Sequence, residues 1–232
     1  MQDGPALKTG PVAMSRIFLA LLIALVGLLP AGAQGFRETR NTPGNFDFYV
    51  LALSWSPAYC QGEGGRRSPV QCESGRNPDF VVHGLWPQYE RGFPSNCGLG
   101  NQNPTRADMQ KAARVFPEEG LARYQWRKHG SCAGGGPGDY FEDVAAARSK
   151  VAIPDLLKNP QRSFSTTPLD IERAFVEANR GLRADMMSVQ CNRNILSEVR
   201  ICFSRDLRGF VTCPEVNRSG CRVRDVSVPV SR

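Results

Sequence analysis

The sequence predicts an α+β fold in which a central antiparallel sheet is packed by helices and stapled by disulfides. Three observations predict it. Strand-type runs stand near both ends of the folded region, and helix-type runs lie between them. All eight cysteines fall after residue 34 of the 232. An even count in an exported chain reads as a disulfide framework.

Export is read from the N-terminus. The apolar run Ile17–Pro30 follows Arg16 and ends before Ala31-Gly32-Ala33, a small-x-small cleavage pattern. It is too short for a spanning helix and reads as a secretory signal peptide; an uncleaved anchor is the alternative. Met14 is the more usual start for such a signal, with the residues before it an extension. Residues 1–33 are therefore assigned to the signal and its extension, and 34–232 to a single domain long enough to bury a core. The address is secreted or periplasmic, with no membrane span once the signal is removed. Net charge is +7, and +6 without Asp3, Lys8 and Arg16. That excess favours a polyanionic partner such as nucleic acid or an anionic envelope surface, although it also serves solubility.

In chain order, the first element is the aromatic and apolar run within NFDFYVLALSWSPAYC (Asn45–Cys60), read as a buried strand ending at Ser-Pro. A Gly-rich loop carries Cys72. DFVVHGLWP (Asp79–Pro87) is a second strand, broken at Gly84 and stopped by Pro87. TRADMQKAARVF and PEEGLARYQWRKHG read as helices, the second with acids in its first turn, where the helix dipole favours them. A Gly-rich break precedes the helical FEDVAAARSKVA. In TTPLDIERAFVEANRG, Thr167 caps, Pro168 takes the first position and Gly181 ends the helix. Its residues Ile171, Ala174, Phe175 and Ala178 form a core face. DMMSVQC, LSEVRICF and GFVTCP read as strands, with RDLRG the tight connection between the last two.

Local geometry pairs the cysteines. Cys60 and Cys72 close the Gly-rich loop, Cys202 and Cys213 flank the tight connection, and Cys191 with Cys221 nests outside them. Cys97 and Cys132 remain. Eight cysteines allow 105 connectivities, so this is an inference among many. No C-x-x-C occurs and only two histidines exist, so neither a metal site nor a cofactor is expected.

Those histidines are His83 and His129. On a helix Gln125, Lys128 and His129 share one face, and a Cys97–Cys132 bridge draws that segment toward the His83 strand. Trp86 and Trp126 each stand three residues from a histidine. Two imidazoles and a cation in an exported basic protein suit metal-free RNA cleavage. A base takes the ribose 2′-OH proton, an acid protonates the departing 5′-oxygen, and a cation stabilises the phosphorane. Alone, either segment reads equally well as a structural histidine beside aromatics and a solvated basic helix face.

FVVHGLWPQ and WRKHGSC resemble the two signature segments of the ribonuclease T2 family. FDFYVLALSWSPAYC resembles its N-terminal strand, and the VTCP…C pattern its nested bridges; the likeness covers about Phe46 to Cys221. The resemblance implies a ribonuclease T2-like fold and cleavage of single-stranded RNA to 2′,3′-cyclic phosphates and then 3′-phosphates. RNA is then the partner, DNA is not cleaved, and the enzyme acts as a monomer. It further implies His83 as general acid, His129 as general base and Lys128 as phosphorane stabiliser. Trp86 resembles a substrate-contacting position, with core packing an equal reading. The chain departs from the family at Tyr124-Gln125, where His-Glu is usual. Tyr124 can still donate a hydrogen bond to phosphate, whereas Gln125 can still hydrogen-bond but carries no charge. Without that anion His129 is expected to have a lower pKa than in a typical member. A weakened RNA- or polyanion-binding relative is the alternative that Gln125 supports, and a secreted inhibitor or toxin is a third.

Overall fold

The computed structural model describes residues 41–62, 64–73 and 79–230. The signal-peptide assignment lies outside the described residues. Strand β1 (Phe48–Trp55) runs directly into helix α1 (Ser56–Gln61), because Pro57 suits a first helical turn. The segment read as a Gly-rich loop instead forms two short helices, α2 (Gly64–Arg67) and α3 (Pro69–Cys72). The Cys60–Cys72 disulfide ties them to α1.

Strand β2 (Phe80–Gln88) follows, then α4 (Arg106–Ala112), α5 (Glu119–Lys128) and α6 (Pro137–Ser149). Thr105 and Asp108 form a capping box on α4. Strand β3 (Phe164–Thr166) precedes α7 (Pro168–Ala178), whose N-cap is Thr167 and whose Ile171 and Phe175 are buried as its periodicity predicts. The chain ends in β4 (Met187–Asn192), β5 (Ile195–Ser204), α8 (Pro214–Arg218) and β6 (Val226–Val228).

The six strands form one sheet in the order β2-β1-β5-β6-β3, with β4 also paired to β5. Pairing is antiparallel except for a single parallel link between β5 and β6, so the sheet is mixed. Further readings change. Gly84 does not break β2, and Pro87 does not stop it, since β2 is an edge strand where a missing N–H is tolerated. GFVTCP is no strand; it contributes one bridge, Phe203 to Phe210, before α8 begins at Pro214.

Tyr49, Leu51, Leu53 and Trp55 point from β1 into the main core, where they meet Val199 and Ile201 of β5 and the buried Trp126, Tyr140 and Phe175 of the helices. Phe48 and Val50 point to the opposite face, with Cys202 and Trp86. That second face carries the histidines. The disulfides are Cys60–Cys72, Cys97–Cys132, Cys191–Cys221 and Cys202–Cys213, the pairs read from local geometry. Closing the 35-residue span from Cys97 to Cys132 removes about 4 kcal/mol of denatured-state entropy in the chain-entropy description.

Candidate active site

The site begins with a register slip. Ala52 of β1 faces Gly84, but the next residue, Leu53, faces Val82. His83 is thus the extra residue of a β-bulge, a device that re-aims a side chain out of the regular pleat. Its imidazole, about a third exposed, turns across the central strand toward β5. The crossing is open because β1 carries only Ala52 and Ser54 there, opposite Arg200 and Glu198. Nδ1 of His83 lies 2.7 Å from Oε2 of Glu198. An ionised carboxylate only accepts, so the proton of that bond sits on Nδ1 and leaves Nε2 for another partner.

Glu198 is buried, and its other oxygen accepts from Nε of Arg200 at 2.7 Å. Burial alone would raise this carboxyl, but His83 and Arg200 outweigh it and hold it below the usual carboxylate range.

His129 enters from the other side. It caps α5 immediately after Lys128, and that helix end is fastened to the loop after β2. Asn96 donates its backbone N–H to the Lys128 carbonyl at 2.9 Å, Cys97 bonds to Cys132, and the Cys97 N–H donates to Ser131 Oγ at 3.1 Å. The bridge therefore joins the two histidine segments, as its position in the sequence implies. His129 is only 6% exposed and its Nδ1 has no hydrogen-bond partner. Burial, then the neighbouring Lys128 charge and His83, push its pKa down to about 3. Burial leads, a cause that counting charges at position 125 does not capture.

Trp86 separates the two imidazoles. Its ring centroid is 5.2 Å from His83, edge-on, and 5.3 Å from His129, stacked. The Arg200 guanidinium lies 5.2 Å from its centroid, within cation–π range. The indole N–H donates to Oε1 of Gln125 at 2.9 Å, and Gln125 is almost fully buried. The amide thus anchors the indole. Gly84 makes room for the arrangement, because a Cβ there would fall far inside contact with both Gln125 and Trp86. Gly84→Ala is expected to displace the indole, lower activity at least about tenfold and cost about 1–3 kcal/mol of stability, the range for overpacking. Steady-state kinetics and thermal unfolding check it, and a variant with wild-type kinetics would show that the indole's place is immaterial.

Of the residues singled out in the sequence, His83, Trp86, Gln125 and His129 come together. Lys128 is half-buried, with its ammonium 5.5 Å from the centroid of the exposed Tyr124 ring. Lys128 adjoins His129 in the chain, and its charge acts on that imidazole. Sequence reasoning missed Phe93, whose ring lies 6.3 Å from His129, and missed Glu198 and Arg200. The last two had a signal: charges two apart in a strand share a face, and Val199 and Ile201 between and beyond them alternate into the core. Two depressions open at His83, Ser54 and Tyr59. One of about 360 Å³ runs toward Gln71 and Glu118, and one of about 770 Å³ runs toward Arg200 and Asn192. Among the described residues, no three His, Cys, Asp or Glu side chains cluster as metal ligands, and no helix is long and apolar enough to cross a membrane.

Known proteins share this frame. The model of the ribonuclease T2 family matches residues 46–213. A protein named ribonuclease from Aeromonas hydrophila is 32% identical over 197 residues, spanning 84% of this chain and 89% of that one. Among solved structures, an RNase-related protein from Calystegia sepium superposes with a TM-score of 0.64 at 22% identity, covering 81% of this chain and 98% of its own. RNase NT, solved in complex with 5′-AMP, gives 0.60 at 20% identity, covering 80% and 99%.

Proposed function

The chain belongs to the ribonuclease T2 family of endoribonucleases, and we propose that it cleaves single-stranded RNA by 2′-OH transesterification, without a metal. The observation that carries the reading is one indole flanked by two unlike imidazoles: His129 buried and unpartnered at Nδ1, His83 hydrogen-bonded through Nδ1 to Glu198.

A base must be neutral when it acts, and a burial-depressed His129 is neutral at any pH well above 3. An acid must carry a proton to give, and an imidazole bonded through Nδ1 to a buried carboxylate has Nε2 as the nitrogen through which it exchanges a proton with substrate. His129 therefore takes the proton of the ribose 2′-OH. The 2′-oxygen bonds to phosphorus, the bond to the 5′-oxygen breaks, and His83 supplies the proton that the departing oxygen needs. Water then attacks the 2′,3′-cyclic phosphate with the two roles reversed, leaving a 3′-phosphate. Lys128 contributes positive potential to the phosphorane from beside His129, Trp86 walls the cleft, and Tyr124 offers a hydroxyl to substrate at its rim. DNA lacks the 2′-OH and is left intact. Export of a single catalytic domain, acting as a monomer outside the cytoplasm, completes the reading.

The test is incubation of the purified protein with RNA and matched DNA in EDTA. Expected are RNA fragments ending first in 2′,3′-cyclic phosphate, with DNA uncut. Cleavage of DNA, or loss of RNA cleavage on chelation, overturns the mechanism. Binding of RNA without cleavage from about pH 4 to 8, where imidazoles titrate, favours the weakened-relative reading.

A further inference from the structure

We propose that strand β5 supplies the charged groups that position 125 on α5 does not: Glu198 is a positioning residue for His83, and Arg200 is a catalytic residue that contacts the scissile phosphate. The inference rests on the transesterification reading above and extends it to two residues outside both histidine segments.

Glu198 needs a reason to be where it is. A carboxylate taken out of water costs several kcal/mol unless it is paired and hydrogen-bonded, and Glu198 is only 7% exposed. Both its oxygens are used, one by His83 Nδ1 and one by Arg200 Nε, each at 2.7 Å. The pairing requires the His83 bulge and the small Ala52 and Ser54 between the outer strands, so sheet geometry is committed to it. Its chemical consequence is direct: Nδ1 is held protonated, and Nε2 is the nitrogen that can exchange a proton with substrate.

Arg200 has its Nε occupied by Glu198, while a guanidinium carries five N–H donors in all. It lies against the Trp86 face and lines the 770 Å³ depression together with His83 and Glu198. Its side chain is 30% exposed, which leaves it open to an anionic ligand. A planar fork beside the acid suits two phosphate oxygens at once. Lys128 immediately precedes His129 in the chain and its charge is felt at that imidazole, which gives each histidine one cation beside it. The groups facing His83 are Glu198 and Arg200 from β5, Tyr59 from α1, Glu118 ahead of α5 and His129 at its end.

A structural ion pair would leave chemistry untouched, and leaving-group dependence separates the two roles. Glu198→Gln and Glu198→Asp are compared with wild type on a ribodinucleoside phosphate and on a ribonucleoside 3′-aryl phosphodiester. The aryl oxide leaves without needing a proton. Glu198→Gln is expected to lower kcat on the dinucleotide about 10- to 100-fold, part of a general-acid contribution. The aryl ester should stay within about threefold of wild type, since His83 is not asked for its proton there, and Glu198→Asp should recover part of the loss. Arg200→Ala is expected to raise KM and lower kcat on both substrates, because both carry the phosphate, with Arg200→Lys recovering only part. Equal losses of Glu198→Gln on both substrates, or wild-type kinetics for it or for Arg200→Ala, overturn the proposal.

One arm needs no variant to fold. With two histidines in the chain, ring-nitrogen NMR of the wild type is expected to show His83 keeping a proton on Nδ1 across the working pH range; a bare Nδ1 overturns the positioning role. If wild type fails to cleave RNA, or His83→Ala cleaves the dinucleotide normally, the transesterification reading itself falls. An active wild type and an inactive His83→Ala, with Glu198→Gln unimpaired, overturn only the inference.

Discussion

His83→Ala and His129→Ala are each expected to lower kcat/KM on single-stranded RNA by about 10²- to 10⁴-fold, the range for removing a positioned acid or base. The two variants should not fail alike. Without the base, 2′-OH attack is slow whatever leaves, so His129→Ala should lose activity on RNA and on an aryl phosphodiester together. Without the acid, only a leaving group that needs a proton suffers, so His83→Ala should keep most of its activity on the aryl ester. Folding must be checked separately for the two. His129 is buried, and its truncation opens a space beside Trp86; His129→Gln refills much of that volume without restoring the base. His83 is partly exposed, and its removal leaves buried Glu198 with Arg200 alone. If folded variants of both keep activity within about tenfold of wild type, below what general catalysis contributes, the imidazoles are structural and the assignment collapses.

The sequence carried the histidine pair and the frame that joins it, because both are local. A strand, a helix end and two cysteines at suitable distances are enough to bring His83 and His129 toward each other. What it did not carry depends on registers between strands distant in sequence. Glu198 meets His83 across 115 residues, through a bulge whose trace in FVVHGLWPQ is Gly84, which marks the disruption without naming the partner across the sheet. Pro87 looked like a terminus and is harmless at a sheet edge. GFVTCP has strand composition, yet it pairs with β5 only around Phe210, through Ser204 N–H to the Gly209 carbonyl and Val211 N–H to the Cys202 carbonyl, before Cys213 returns to Cys202. At position 125 the sequence shows an amide that can hydrogen-bond but carries no charge, and it does not name the partner. In place Gln125 is the acceptor that holds the Trp86 indole between the two rings.

That placement separates two effects of position 125 that would otherwise be confused, the hydrogen bond and the charge. The charge bears on pH. With a pKa near 3, His129 is about 90% neutral at pH 4, whereas an ordinary imidazole near 6.5 would be about 0.3% neutral. More of such a base is in its neutral form at pH 4 than of an unperturbed one, against which stands its weaker intrinsic basicity. The acid limb of kcat/KM, which reports the free enzyme, is therefore expected near pH 3 and not near 6.5. Gln125→Glu keeps an acceptor for Trp86 and adds an anion on the face of α5 that leads to His129. An anion favours imidazolium, so the acid limb should move up by about one pH unit or more while the optimum narrows.

The same shift has a stability cost with a fixed sign. Between pH 6.5 and about 3 the unfolded chain binds a proton at His129 that the folded chain refuses, so stability falls as pH falls through that window. The full difference is on the order of 5 kcal/mol, and four disulfides oppose it by restricting the unfolded chain. His129→Gln should flatten the dependence of Tm on pH across that window while abolishing cleavage. An acid limb near pH 6.5 in the wild type, unmoved by Gln125→Glu, would mean that His129 is not the base. A flat Tm from pH 6.5 to 3 would mean that the folded protein takes up the proton as readily as the unfolded chain. Either result would remove the physical reason for placing the low-pKa imidazole at the 2′-hydroxyl.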